Sequence, residues 1–147
     1  MELSFAFALN NNSVFEEKHF GESDKFVIYT EKGQLILLQE EIDNSFKSLD
    51  ENQIHGSQKK GSAIISFLKE KKVNVLVSKQ FGKNIRMVNK HFVPIIIQED
   101  SPNDVLRILQ KHKKWIKDEL MNRQTDHMLF YIKNGILKLK VKDDKLK

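Results

Sequence analysis

The segment Leu3–Leu9, LSFAFAL, is a short and almost uninterrupted run of apolar residues near the start of the chain. Side chains at consecutive positions of a strand point to opposite faces, so such a run is typical of a strand that is buried on both sides in the middle of a sheet. Asn10–Ser13 ends the run. The feature predicts an α/β fold in which helices cover both faces of a sheet.

Three further strands are indicated by short apolar segments bounded by turn residues. Lys25–Thr30 and Gln34–Gln39 flank the residues Glu31–Gly33, which predicts a tight hairpin. Val73–Ser78 has the pattern of another buried strand. Between these strands, residues 40–60 show no clear periodicity, and a loop of this length in a compact domain is usually a functional loop or a disordered one.

The C-terminal third of the chain contains one more strand and a hairpin. Phe92–Ile97 reads as a strand, and Pro94 within it should lie where no backbone N–H is needed, because proline cannot donate to a ladder. Leu129–Val141 alternates around Asn134-Gly135, the strongest short-range hairpin signal in the chain. The element order is therefore three strands, then alternating helices and strands, then a C-terminal hairpin.

Three segments have helical patterns. Gly61–Lys72 is amphipathic, and Gly82–Lys90 forms a shorter helix. The third helix runs from Ser101 to about Met121, where Ser101 caps the first turn, Pro102 fills it and Asp104 completes a capping box. Its predicted inner stripe is Val105, Leu109, His112 and Ile116, and the aromatic residues expected in the core are Phe67, Phe92 and Trp115.

The composition is that of a globular domain. The chain has 147 residues, of which 39% are hydrophobic and 31% are charged. No apolar run approaches the roughly 20 residues that a membrane helix needs. Glu2 and the lack of a basic leader make the first segment a poor signal peptide, so we expect a cytoplasmic protein without a membrane partner.

The chain has no cysteine, and this limits its metal chemistry. Disulfides and thiolate ligation of zinc or iron–sulfur clusters are excluded, so any metal ligand must be a histidine or a carboxylate. The net charge of +5 mildly favours small anionic ligands. Nucleic acid is an unlikely partner, because no basic stripe is interleaved with aromatic residues.

Three stretches in a fixed order carry a family likeness. They are Lys18–Gly21 (KHFG) followed by Phe26, then His55-Gly56-Ser57 followed by Gly61, and the segment 73–97 with Gly82 in its turn. Together they resemble the dinitrogenase iron–molybdenum cofactor biosynthesis domains, which are nitrogenase accessory factors. The likeness covers residues 1–121.

The resemblance implies a ribonuclease-H-like three-layer α/β/α fold. Its mixed five-stranded sheet has the order 3-2-1-4-5, with strand 2 antiparallel, so the loops after strands 1, 3 and 4 share one edge. Strands 1 and 4 are neighbours where the chain direction of the connections reverses, which is where open α/β sheets usually bind ligands. Residues 1–124 would form this domain, and residues 125–147 would be a C-terminal hairpin extension with a charged tail.

The resemblance and this topology together give eight candidate site residues. His19 and His55 are the candidate metal ligands, because imidazole is a common ligand and lies in both loops. The start of the helix at Gly82, with nearby lysines, would attract an anion. The candidate cofactor-binding residues are Gly21, Gly56, Ser57, Lys79, Gly82 and Lys83. The identity of the cofactor is not determined by the sequence, and an anionic metal-containing cluster or precursor without cysteine ligation fits best.

Each candidate also has a purely structural interpretation. Phe20 could anchor the loop in the core while Gly21 makes a turn with positive φ and His19 caps the backbone. His55 could be an exposed loop residue. His91 at a helix end and His112 on the inner stripe are read as structural.

Catalysis is not expected. A ribonuclease-H nuclease needs clustered carboxylates that hold metal ions, the first of them on strand 1, and Leu3–Leu9 contains none. The chain also lacks a G-x-S-x-G elbow, a cysteine nucleophile and an H-E-x-x-H motif.

The sequence therefore favours a non-catalytic binding domain that holds a small anionic or metal-containing species at the sheet edge. The alternative is a protein-interaction module with a vestigial pocket, in which the C-terminal hairpin forms a homodimer or docks a partner. Nucleic-acid binding by an inactive ribonuclease-H-like fold is a third and weaker hypothesis.

Overall fold

The computed structural model describes residues 1–48 and 56–139, and its described part is built on one mixed sheet of seven strands. The strands lie in the order β3-β2-β1-β4-β5-β6-β7. They are β1 (Ser4–Leu9), β2 (Lys25–Lys32), β3 (Leu35–Asp43), β4 (Val75–Ser78), β5 (Val93–Ile96), β6 (Phe130–Lys133) and β7 (Ile136–Leu139). The helices are α1 (Gly56–Glu70), α2 (Ile85–Val88), α3 (Pro102–Lys111) and α4 (Lys113–Asn122), with 3₁₀ turns at Phe20–Glu22 and Gly82–Asn84.

Strand β1 lies in the interior of the sheet, as its apolar run predicts. All six of its residues are buried. It pairs antiparallel with β2 and parallel with β4, so that Phe5 faces Tyr29 on one side and Val75 on the other. The first five strands have the expected order, but the expected sheet of five strands is too small, because the C-terminal hairpin adds two more.

Helices cover both faces of the sheet, and each face has its own hydrophobic cluster. The larger cluster joins Phe5 and Phe7 of β1 to helices α3 and α4 through Leu109 and Ile116. The other cluster joins Ala6 and Ala8 of β1 to helices α1 and α2, through residues that include Ile64, Leu68 and Val88. The small alanines on the second face leave room for the aromatic residues Phe20, Phe26, Phe81 and Phe92.

The unpatterned segment of residues 40–60 is shorter than predicted. Strand β3 continues to Asp43 and helix α1 begins at Gly56, and of the residues between them 49–55 lie outside the described part. A bulge shifts the register of β3 against β2 between Ile28 and Tyr29. Most of β3 is also exposed at the sheet edge. The bulge and the exposure hide the alternation that would have marked the strand.

The helix predicted from Ser101 to Met121 is two helices. The break falls at His112, whose φ of −115° and ψ of 20° are not helical, and Trp115 just after the break is 49% exposed. His112 and Trp115 are therefore not core residues, and their rings lie 5.3 Å apart at the break. The expected capping box is also wrong, because Ser101 makes no side-chain cap bond and Asp104 pairs with Arg107 instead.

The C-terminal hairpin is part of the main sheet. Strand β6 pairs parallel with β5, and β7 pairs antiparallel with β6. Asn134 and Gly135 both have positive φ, as the predicted Asn-Gly turn requires. Phe130, Ile132 and Leu137 of the hairpin are buried in the larger cluster.

Pro94 occupies a position in β5 where no donor is needed. The N–H groups of Val93 and Ile97 bond to carbonyls on the β4 side, at Asn74 and Ser78. Alternation along the strand then turns the nitrogen of Pro94 towards β6, where pairing begins only at Ile95. In the described ranges, no helix is long and apolar enough to cross a bilayer.

Candidate functional site

The loops that follow β1, β3 and β4 meet at one edge of the sheet, as predicted. β1 and β4 are parallel, and β1 and β3 both pair antiparallel with β2, so these three strands end at the same edge. Asn44, which follows β3, donates from its side chain to the carbonyls of Gly21 (3.0 Å) and Ser23 (2.9 Å) in the loop after β1. These bonds tie two of the loops together.

His19 is held at this edge by a short pairing between the loops after β1 and β4. The Phe20 N–H donates to the Gln80 carbonyl at 2.9 Å, and the Gln80 side chain donates to the Glu17 carbonyl at 2.7 Å. The Phe20 ring is buried, with its centroid 4.9 Å from that of Phe26. The expected anchoring role of Phe20 is confirmed, and it fixes the backbone of His19.

The imidazole of His19 lies directly against Gly82. A Cβ atom on Gly82 would come within 2.6 Å of His19 Nδ1, which is closer than real side chains approach. Gly82 also has a φ of +67°, a conformation that disfavours residues with a Cβ. The positive φ favours glycine here, and the missing Cβ lets the exposed His19 ring lie against the turn after β4.

A cavity of about 260 Å³ opens beside His19, between the loops and helix α1. Its apolar wall is contributed by both loops, β4 and the two helices of this face, and consists of Phe20, Ile64, Ile65, Leu76, Phe81 and Val88. Its polar groups are His19, Glu22, Lys60 and Lys83, together with the backbones of Gly21 and Gly61. An apolar floor with a few convergent polar groups is typical of a small-molecule site.

Lys60 and Glu22 are site residues that sequence reasoning missed. The Lys60 ammonium is buried, with 2% of its side chain exposed, and it pairs with Glu22 at 2.8 Å. It also donates to the Lys47 carbonyl at 3.3 Å. A helix beginning at Gly56, rather than at the predicted Gly61, places Lys60 on the same stripe as Ile64 and Leu68, and that spacing would have pointed to it.

Lys79 does not line the cavity, although it was a candidate ligand residue. Its ammonium pairs with both Glu17 and Asp100, and 11% of its side chain is exposed. Burial works to lower the pKa of Lys79, but the hydrogen bonds that its ammonium donates to Asp100 and Glu17 outweigh burial and raise the pKa. The two ion pairs of Lys79 thus hold the loop after β4 against the segments that contain Glu17 and Asp100.

The structure places the glycine candidates Gly21 and Gly56 in different local settings. Gly21 lies inside a 3₁₀ turn and is not among the glycines with positive φ, so the expected positive-φ turn is wrong. Its missing Cβ instead allows close approach by Ile64, whose Cδ1 would lie 3.3 Å from that atom. Gly56 begins helix α1, whereas His55 and the side chain of Ser57 lie outside the described part.

The helix that begins near Gly82 is shorter than the predicted Gly82–Lys90. A 3₁₀ turn at Gly82–Asn84 leads into the single turn of α2. Peptide dipoles add up along a helix, so such a short one contributes little to anion binding. Of the cations in this segment, the exposed Lys83 is the one that lines the cavity.

Comparison with protein families gives a match over most of the chain. A family model described as dinitrogenase iron-molybdenum cofactor matches residues 1–114. The chain belongs to this family. The match spans every residue that lines the cavity, and it ends before α4 ends, so the hairpin β6–β7 lies beyond it. Comparison with functionally curated proteins gives no match.

The family description contains a metal-containing cofactor, so the question is which metal species the groups at the cavity could hold. Within the described residues, no group of three or more His, Cys, Asp or Glu side chains could hold a bare metal ion. The cavity offers one imidazole, two ammonium groups and one carboxylate. This set suits a preassembled anionic species that brings its own ligands, and it does not suit a free divalent cation, which needs several protein donors.

Proposed function

We propose that the chain is a non-catalytic accessory domain that holds a small anionic or metal-containing species as cargo in the cavity beside His19. The observation that carries this proposal is the convergence of His19, Lys60 and Lys83 on one apolar cavity. The site also lies where β1 and β4 end, at the point where ligands of open α/β sheets usually bind.

The residues around the cavity contribute to the proposed binding in three different ways. The imidazole of His19 can complete one open coordination position of the cargo. Lys83 and Lys60 offset negative charge, although Lys60 also serves Glu22. The apolar wall excludes water and strengthens these electrostatic interactions.

The absence of catalysis is part of the proposal. Strand β1 carries no carboxylate at all, so it cannot supply the first metal ligand of a nuclease centre. Among the described cavity residues the one acid is Glu22, and it forms an ion pair with Lys60. A base occupied in this way is poorly placed to remove a proton from a substrate.

Calorimetric titration of the intact chain with three probes tests the proposal. The probes are zinc ion, molybdate and isolated iron–molybdenum cofactor. We expect the tightest binding for the cofactor, weaker binding for molybdate and the weakest for zinc, because the cavity offers positive charge but only one imidazole. Tightest binding of zinc, or no binding of either anionic probe, would contradict the proposal.

A protein-interaction module is the second candidate, and one observation favours it. Strand β7 forms one edge of the sheet, and its residues Ile136 and Leu139 are 50% and 43% exposed. Apolar residues on an open edge can pair with a second copy. If the hairpin forms a homodimer, Ile136→Lys should reduce the mass measured by light scattering, and an unchanged monomeric mass in both proteins would exclude it.

A further inference from the structure

A second and larger recess lies on the other side of α2 from the cavity. This cleft has a volume of about 1120 Å³ and separates the segment 80–90 from the segment 123–129. Its apolar floor contains Ile85, Ile96, Met128 and Leu129. None of these four residues belongs to the cavity beside His19, so the cleft is a distinct feature of the surface.

The wall formed by residues 123–129 is rigidly built. Glu119, which is 8% exposed, accepts hydrogen bonds from the Met128 N–H (3.2 Å) and from Arg123 Nε (3.2 Å). His127 Nδ1 lies 3.3 Å from the same carboxylate. The His127 N–H donates to the Asn89 carbonyl at 2.7 Å and so joins this wall to the opposite one. A cleft whose walls are fixed in this way needs little ordering when a partner binds.

The opposite wall is strongly basic. Between Glu70 and Glu99 the sequence contains six lysine and arginine residues and no acidic residue. Two of the six, Arg86 and Lys90, are exposed at the cleft. Within the described part of the chain neither forms an ion pair, in contrast to Lys79, which has two carboxylate partners. Arg123 also lines the cleft, but it is paired with Glu119, and Asp126 is the one acid among the residues that line the cleft.

We infer that this cleft docks an extended, acidic segment of a partner protein that also carries aliphatic side chains. The unpaired Arg86 and Lys90 match the acidic groups, and the floor of Ile85, Ile96 and Met128 matches the aliphatic ones. Side-chain amides of Gln80, Asn89 and Gln124 line the same cleft and can bond a peptide backbone. Methionine adapts its shape to different aliphatic partners, which suits a peptide groove.

The aliphatic floor distinguishes this partner from a nucleic acid. Single-stranded nucleic acids bind basic grooves by stacking their bases on aromatic side chains. The aromatic rings that line the cleft in the described structure are those of Phe81 and His127, and each residue is 5% exposed, so neither offers a stacking platform. The inference is independent of cargo binding, because none of the residues that carry it lines the cavity beside His19.

Fluorescence anisotropy with labelled probes tests the inference on the full chain. The probes are a short peptide of glutamate and leucine, an equally acidic peptide with serine in place of leucine, and an oligouridylate of similar charge. We expect the glutamate–leucine peptide to bind most tightly. The pair Arg86→Glu and Lys90→Glu should weaken it by about tenfold or more, because each reversal removes an attraction and adds a repulsion.

The matched control is the pair Lys111→Glu and Lys114→Glu. These lysines are exposed on α3 and α4, outside the cleft, and their reversal changes the net charge by the same amount. Peptide binding should be retained in this control. Equal losses in the two double variants, equal binding of the serine peptide, preferred binding of the oligouridylate, or no peptide binding at all would each overturn the inference.

A third variant tests the apolar floor of the cleft separately from its charge. Met128→Ala removes floor contacts without changing charge, and it should weaken the glutamate–leucine peptide while leaving the serine peptide unaffected. Circular dichroism confirms that each variant is folded before binding is compared. If Met128→Ala leaves the binding of the glutamate–leucine peptide unchanged, the floor has no role and the inference fails.

Discussion

At the scale of single residues, the position of the His19 ring depends on its contact with Gly82. Gly82 has a positive φ, and its Cα faces the ring of His19 at a distance that leaves no room for a Cβ. The sequence suggested both residues as site candidates, because the loops after β1 and β4 were expected at one edge. Their direct contact was not predictable, since it depends on the pairing of Phe20 with Gln80 far along the chain.

The first prediction compares Gly82→Ala with Gly33→Ala. Both glycines have positive φ (+67° and +63°), so each change should cost about 1 kcal/mol in unfolding free energy. A Cβ on Gly33 would meet no atom within 4 Å, whereas one on Gly82 would displace the exposed His19 ring. Only Gly82→Ala should shift the imidazole resonances of His19 in NMR spectra and weaken cargo binding. Unchanged resonances would show that the ring does not rest on Gly82.

The second prediction concerns Glu31, a buried carboxylate on the far side of the sheet. Burial works to raise the pKa of Glu31, but Lys117, the Leu3 N–H and Lys113 outweigh it and hold the pKa below its usual value of 4.5. A lowered folded pKa means that the stabilisation is fully present above pH 4.5 and is lost as the pH falls further. Glu31→Gln should cost about 1–3 kcal/mol at neutral pH.

Urea unfolding across a range of pH checks this prediction. The difference between wild type and Glu31→Gln should shrink below pH 4.5, as the wild-type carboxylate takes up its proton. Glu70→Gln at the exposed end of α1 is the control and should show little difference at any pH. A difference that stays constant down to strongly acidic pH would mean that the charge of Glu31 does not stabilise the fold.

At the scale of elements, the pattern of apolar residues predicted the strands that are buried on both faces. It did not predict the ends of elements whose residues are exposed or polar. β1, β4 and β5 were recognisable because almost every residue in them is apolar. The ends of β3 and α1 were not, because β3 lies at an exposed edge with a bulge and α1 begins with polar residues. Lys60 was missed for the same reason, since its helix was expected to begin one residue after it.

The third prediction tests whether the C-terminal hairpin belongs to the core. Leu137 of β7 is fully buried, whereas Leu139 of the same strand is 43% exposed. Leu137→Ala should reduce the unfolding free energy by about 2–5 kcal/mol, because it leaves a cavity in the larger cluster. Leu139→Ala should change it by less than about 1 kcal/mol. The denaturation midpoints of the two variants provide the measurement, and equal midpoints would show that the hairpin is only loosely attached.

At the scale of the whole molecule, the sheet of seven strands has the edge with the cavity within the family match and the C-terminal hairpin outside it. Helix α2 contributes Ile85 and Arg86 to the cleft and Val88 to the cavity. The position of the edge was predictable from topology. The side chains that face the cavity were only partly predictable, because Lys79 is occupied by Glu17 and Asp100 from distant segments.

The fourth prediction is that the folded protein does not cleave RNA–DNA hybrids. Two-metal cleavage needs carboxylates that clamp the metal ions, and strand β1 offers none. An assay with magnesium or manganese should give no product above the buffer control. Metal-dependent cleavage that follows the folded protein through successive chromatography columns would contradict a purely binding role.

The most direct test of cargo binding at His19 is the metal content of protein that has been mixed with isolated iron–molybdenum cofactor and then desalted. Wild type is compared with His19→Ala combined with Lys83→Ala, and with a control in which His112→Ala is combined with Lys111→Ala, outside the cavity. Molybdenum and iron should elute with wild type and with the control. The cavity variant should need about tenfold more cofactor for the same loading, which corresponds to about 1.4 kcal/mol. Equal metal content in all three proteins, or none in wild type, would contradict the account.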